Sequence, residues 1–191
     1  MNEVGVAYNH GRGVARDDAE ALRWYRKAAD AGNGLAMRNI GRMYHDGTGV
    51  AKDESEAVFW YRRGAEAGNP IAMNDLGVMY QHGLGVPKDE AEAVSWYRKS
   101  AEAGGAVGMR NLSMMYASGW GVAKDEGEAL RWILKSAEYG DAAAMRILGT
   151  MYHNGIGVAP DQGEAIKWYQ KAASLGDRAS IERLNALSRG R

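Results

Sequence analysis

Apolar and small residues recur along this chain at the spacing of a helix face, and the same face returns every 36 residues. In Leu35-Ala36-Met37-Arg38-Asn39-Ile40-Gly41-Arg42-Met43-Tyr44, positions 36, 37, 40, 41 and 44 share one side of a 3.6-residue wheel. That pattern predicts an amphipathic helix, designated helix A. Gly47-Thr48-Gly49-Val50 stops it, because glycine just past a helix end can take the left-handed conformation that closes the last turn. A second helix, B, is predicted from an N-cap at Asp53 to about Ala67, with Ala57, Trp60, Tyr61, Gly64 and Ala65 facing inward. Asp53 and Glu56 have the spacing of a capping box. Gly68 ends helix B, and Asn69-Pro70 opens the next helix A with an N-cap residue and a proline at the first helical position.

The unit is written five times without insertion. Trp24, Trp60, Trp96, Trp132 and Trp168 mark helix B, and Tyr8, Tyr44, Tyr80, Tyr116 and Tyr152 mark helix A. Such periods indicate stacked supersecondary units, each unable to bury its apolar face alone. The expected fold is all-α: one continuous solenoid domain over 1–191, with units at about 1–34, 35–70, 71–106, 107–142 and 143–178 and a capping helix at 179–191. In that last helix Asn185 and Ser188 replace the usual glycine and tyrosine, as suits an end facing water. Gly5, Gly41, Gly77 and Gly149 share a mid-helix place where glycine costs about 1 kcal/mol against alanine. Its retention predicts close helix approach; Ser113 stands there in the remaining unit. Val50 and its equivalents Val14, Val86, Val122 and Val158 are expected to plug the loop into the core.

Apolar content of 46% and charged content of 25% are globular values, which disfavours disorder. Equal numbers of acidic and basic residues give a formal net charge of zero, and with it no electrostatic reason to expect nucleic acid or an anionic membrane. No run is long and apolar enough to span a bilayer. The absence of cysteine excludes disulfides and thiolate metal sites. The first residues show no basic segment followed by an apolar one, which favours the cytoplasm unless a signal peptide has been removed, in which case the periplasm or exterior is expected.

Ala-Met-x-x-Leu-Gly-x-Met-Tyr, Gly-x-Gly-Val, Asp-x-x-Glu-Ala-x-x-Trp-Tyr and Lys-Ala-Ala-Glu-x-Gly together resemble the Sel-one-like repeat (SLR) family, a relative of the tetratricopeptide repeat. The resemblance covers essentially the whole chain. It implies a right-handed α-α superhelix of antiparallel helix pairs, with A helices on the concave side and B helices on the convex side. It also implies a non-enzymatic adaptor, often bacterial, that binds a protein or peptide. A secreted branch of the family staples each repeat with a disulfide; this chain lacks those cysteines, so that branch's location does not carry over.

Motif residues at a fixed period read as structural, with the tryptophans as core anchors. Recognition is then expected at positions the motif leaves free, and on helix A those are 38, 39, 42, 45 and 46. The candidate partner-binding residues are Arg38, Arg42, Asn74, Val78, Arg110, Met114, Trp120, Arg146 and Ile147. Arginine and asparagine suit a peptide backbone and its carboxylates. Val78, Met114 and Ile147 offer apolar anchorage or pack between A helices. Trp120 is the one tryptophan outside the period, and with Leu84 and Ile156 it is expected to form an apolar edge. Phe59 and Leu134 are apolar exceptions on helix B.

His10, His45, His82 and His153 fall at the end of helix A, one packed-helix spacing or more apart, too far for a shared metal ion. No cofactor or metal is expected, and a monomer is favoured. Two other readings stand beside the scaffold: a binding protein or hydrolase for a small molecule or cell-wall fragment, and a fragment of a larger regulatory protein. The first lacks a nucleophile with a base oriented on it.

Overall fold

The computed structural model of the chain describes residues 1–189, and every regular element among them is an α-helix. The chain resolves into two compact units, Met1–Ala103 and Gly104–Arg191. The first holds α1 (Asn2–His10), α2 (Asp18–Asp30), α3 (Gly34–Asp46), α4 (Glu54–Glu66), α5 (Pro70–His82) and α6 (Glu90–Glu102). The second holds α7 (Ala106–Ser118), α8 (Glu126–Glu138), α9 (Ala142–Asn154), α10 (Gln162–Ser174) and α11 (Arg178–Arg189). Odd numbers are A helices and even numbers B helices, so the fold is an all-α, solenoid-like repeat. The expected capping helix is α11; the last two residues assigned to it lie outside the described ones.

Helix ends are fixed locally. Asn33, Asn69, Asp141 and Asp177 each accept from the backbone N–H three residues on, whereas Gly105 supplies no side-chain cap. Helix B starts at Asp17, Asp53, Asp89, Asp125 and Asp161, each accepting from the N–H of the glutamate three residues on at 2.9–3.0 Å. The expected capping box closes on one side only. The N–H of each N-cap aspartate donates instead to a helix-A tyrosine carbonyl, as Asp53 does to Tyr44 and Asp161 to Tyr152. With that donor engaged, the glutamates turn outward: Glu128 pairs with Arg131 at 2.7 Å and accepts from Trp132 Nε1. At the other end of the A–B loop, Gly47 closes α3 at φ +69°, a left-handed conformation that disfavours side chains.

In four of the five pairs the tyrosine beside the tryptophan is the deepest large side chain of helix B, and Ile133 takes its place in α8. Trp96 and Trp132 are buried as expected of core anchors, whereas Trp24, Trp60 and Trp168 are not fully so, which revises the expectation that tryptophan anchors each pair. Tyr25, Tyr61, Tyr97 and Tyr169 are buried, and each ring lies flush on the helix-A glycine. A Cβ would stand 2.6 Å from Tyr61 at Gly41, 2.7 Å from Tyr97 at Gly77 and 2.8 Å from Tyr169 at Gly149. Close helix approach is therefore what the mid-helix glycines permit. Tryptophan sits to the flank and joins one pair to the one before. Trp60 packs on the cluster of α2 and α3, and Trp96 belongs to the cluster of α4 and α5. Trp24, Trp60 and Trp168 are half-buried. A cation one turn on covers each ring: Lys27 at 4.5 Å from Trp24, Arg63 at 4.9 Å from Trp60, and Lys171 at 4.0 Å from Trp168.

The loops behave mostly as expected. Val50 and Val86 pack on the apolar clusters, while Val14 remains exposed. Ser100 and Ser136 on helix B donate to the carbonyls of Pro70 and Ala106, at 2.6 and 2.8 Å, tying B to the start of the preceding A. Gly64 reaches the same closeness without a side chain, its absent Cβ falling 3.0 Å from the Gly34 carbonyl.

Candidate functional site

Helix A carries a row of polar side chains at the positions equivalent to 38 and 39. Consecutive A helices use this row to hold one another. In the first unit Asn39 Nδ2 donates to Asn2 Oδ1 at 3.2 Å, and Arg38 Nε donates to Asp75 Oδ2 at 2.7 Å. Both bonds join position 38 of one repeat to position 39 of the next. Asn39 and Asn74 are each only 6% exposed, so positions placed on an outward face by the wheel are turned in between neighbouring helices. Asn74 Nδ2 also lies 3.4 Å from Asp75 Oδ1, and that carboxylate gathers both residues.

In the second unit Ile147 occupies the acceptor place and packs on the apolar cluster of α8, α9 and α10. Arg110 therefore turns to the N-cap aspartate of α9, Asp141, at 2.8 Å, and Arg146 turns to that of α11, Asp177, at 3.3 Å. Burial pushes the Asp177 carboxyl up, but hydrogen bonds from Ser180 and Arg146 outweigh it and hold the group below its usual range. A partly buried charge left unpaired is costly, and these aspartates supply the pairing as well as the cap. Sequence reading missed them as partners. The available signal was that aspartate at 141 and 177, where the other units have Asn or Gly, follows an arginine 31 residues earlier.

Arg42 stands apart from this ladder. No hydrogen bond or ion pair ties it among the described residues, and it is half-buried on α3. Its guanidinium charge is felt by the hydroxyls of Tyr25 and Tyr61, whose pKa values burial raises and whose rise Arg42 moderates. The Tyr25 hydroxyl is buried without a hydrogen-bond partner. In its repeat Asn9, which takes the place of the Gln81 that accepts from Tyr97, donates to Asp18 instead.

Two depressions meet at Arg42. One, of about 220 Å³, is lined by Arg38, Arg42, Asp46, Tyr61, Asp75 and Val78 among others, between α3 and α5. The second, of about 260 Å³, is lined by Asn9, His10, Arg16, Arg42, Asp46 and Thr48, between α1 and α3. The structure thus brings Arg38, Arg42 and Val78 together, with Asn74 beside them, and adds Asp46 and Tyr61 to the set.

Among the candidates in the second unit, Met114 and Trp120 are exposed at 41% and 45%, and Ile156 at 38%. In the first unit Leu84, expected on the same edge, packs on the core instead. Phe59 is half-exposed and meets Trp60 edge-on at 5.5 Å; Leu134 packs on the core. His45 Nδ1 is 2.7 Å from Glu54 and His153 Nδ1 is 2.8 Å from Gln162, so both pin the end of helix A to the start of helix B. Among the described residues no group of three His, Cys, Asp or Glu converges to hold a metal ion, and no helix is long and apolar enough to cross a membrane.

The Sel1 repeat model matches five times, over 1–33, 34–69, 70–105, 106–141 and 142–177. No match was found among curated proteins. A Sel1 repeat protein from Oxalobacter formigenes is 36% identical, with a TM-score of 0.87, over 100% of this chain and 86% of that one. A protective antigen with an SLR fold, present in uropathogenic Escherichia coli strains, is also 36% identical, with a TM-score of 0.84; the alignment covers 97% of this chain and 40% of the antigen. An immunity protein from Pseudomonas aeruginosa is 25% identical, with a TM-score of 0.65, over 94% of this chain and 67% of that one. Sel1 repeats generally serve as non-catalytic scaffolds for protein–protein interaction. With five matched repeats, an all-helical fold and this similarity to solved repeat proteins, the chain belongs to the Sel1 repeat family.

Proposed function

We propose that this protein is a non-enzymatic scaffold that holds a protein or peptide segment on its helix-A face, in the groove over α1, α3 and α5. The observation that carries this reading is the meeting of two depressions at Arg42 and Asp46, both exceptions to the repeat. Equivalent positions hold Val6, Val78, Met114 and Thr150 for Arg42, and His10, His82, Ser118 and Asn154 for Asp46. A scaffold discriminates through what its repeats do not share, and a groove mixing Val78 with charged groups offers both anchorage and orientation. The general role of Sel1 repeats in protein–protein interaction supports the class of work.

A hydrolytic reading lacks its parts. The hydroxyls of Ser100, Ser113 and Ser136 donate to backbone carbonyls, so these serines serve packing. The test is photo-crosslinking with benzoylphenylalanine at position 78, in the groove, against position 59 on helix B, in extract of the source cell. A defined protein adduct from 78 and none from 59 is expected. Equal adducts from both, or adducts from 59 alone, refute the placement.

A further inference from the structure

We infer that Arg42 and Asp46 together read a pair of opposite charges on the bound segment, a side-chain carboxylate set on Arg42 and a cation set on Asp46. This rests on the groove reading above and names the chemistry the groove selects.

The charges around the two depressions are almost all answered inside the protein. Arg38 and Asp75 neutralise each other at 2.7 Å, His45 meets Glu54 at 2.7 Å, and Arg16 holds Asp18 at 2.8 Å. Arg42 and Asp46, with the His10 imidazole at one edge, are the exceptions, having neither an ion pair nor a hydrogen bond to a described residue, and of these only Arg42 and Asp46 line both depressions. They lie one helical turn apart on α3, and no ion pair forms between them. Side chains at that spacing are neighbours, with about 5–6 Å between Cβ atoms. A partner with an acidic and a basic side chain at a similar separation meets both at once. Acid and base one turn apart on a helix have this spacing.

Arg42 is the group that takes the carboxylate, because no carboxylate of a described residue pairs with its guanidinium. A half-buried guanidinium offers paired N–H donors that match a carboxylate in geometry as well as charge. Asp46, exposed at the end of α3, repels a purely acidic segment and so narrows the choice to a mixed-charge one.

The experiment is fluorescence anisotropy with labelled helical peptides carrying Glu and Lys one turn apart. Their counterparts have Glu replaced by Gln or Lys by Met, and free Glu-Lys dipeptide serves as competitor. The Glu/Lys peptide is expected to bind the full chain. Arg42→Gln, or Gln in the peptide, should weaken it by about tenfold or more, the size of a lost charge-assisted pair. Because Arg42 is unpaired, Arg42→Gln should melt like the parent. The doubly reversed variant Arg42→Glu/Asp46→Lys should bind the peptide with its charges exchanged. Equal binding by Arg42→Gln, indifference to Gln in the peptide, or no binding by the parent overturns the inference. The groove reading survives those results so long as the position-78 adduct forms, and it fails separately when that adduct is absent. Competition by free dipeptide at concentrations equal to the peptide's own overturns the assignment to a protein segment.

Discussion

Ser113 Oγ donates to the Ala129 carbonyl at 2.7 Å, at the place where other repeats press a tyrosine ring on a glycine. Ile133 stands where that tyrosine would be, and it is fully buried. The added hydroxymethyl group on helix A and the smaller side chain on helix B share one volume. Ile133→Tyr alone should therefore destabilise by about 1–3 kcal/mol through overpacking. Adding Ser113→Gly should recover most of the loss. Urea denaturation of the four-member cycle measures the coupling, and additive losses would show that the two residues do not compete for space.

The same geometry ranks the aromatic residues of helix B. Tyr97→Ala removes a fully buried ring and should cost about 3–5 kcal/mol. Trp24 is half-buried beneath Lys27, so Trp24→Ala should cost distinctly less. Chemical denaturation of the two variants decides, and a larger loss at Trp24 would contradict the placement of tyrosine at the centre.

Asp141 both caps α9 and pairs with Arg110. Asp141→Asn keeps a cap on Ala144 and loses the charge pair, whereas Asp141→Ala loses both, a further ~1 kcal/mol. Thermal melts followed by circular dichroism should rank parent above Asn above Ala. Arg110→Ala should lower the melt as well. A variant with an unchanged melt and weakened partner binding would instead place Arg110 among the recognition residues.

Acid should destabilise the fold. Asp18, Glu54 and Asp177 all titrate below their ordinary values. Asp18 is held down first by Arg16; at Glu54 and Asp177 hydrogen-bonded partners overcome the upward push of burial. The unfolded chain takes up these protons more readily, so their contribution is complete above the ordinary carboxyl pKa of about 4 and is lost as pH falls through the depressed values. Urea midpoints should be insensitive to these groups above about pH 5 and decline from about pH 4 downward. Asp177→Asn should flatten part of that decline.

Trp120 is 45% exposed at a loop tip, and its backbone N–H donates to the Met115 carbonyl at the end of α7. Trp120→Ala should change stability by no more than about 0.5 kcal/mol, as surface substitutions do. A drop of several kcal/mol in the denaturant series would mean that the ring packs in solution.

The repeated architecture was legible in the residues because each of its causes is local or periodic. Asn69 before Pro70 starts a helix, Gly47 stops one, and Ala57 with Tyr61 marks a buried stripe wherever in the fold the helix lies. Among the residues nominated for recognition, Arg38, Arg42 and Val78 line one depression, but Arg38, like Arg110 and Arg146, is engaged by an aspartate of the protein: Asp75, Asp141 and Asp177 respectively. A helical wheel shows which way Arg38 points relative to Ile40, but the next A helix, 36 residues on, does not appear on it. The choice between Tyr61 and Trp60 as the deeper ring, the pairing of the Asp53 N–H with Tyr44 rather than Glu56, and the isolation of Arg42 were likewise decided only when helices packed. Sequence by itself determined the helices, their ends and their period, since these follow from interactions within a few residues. Tertiary structure decided which polar groups meet, because desolvated charges take the nearest partner in space, and that partner lies about a full repeat away in the chain.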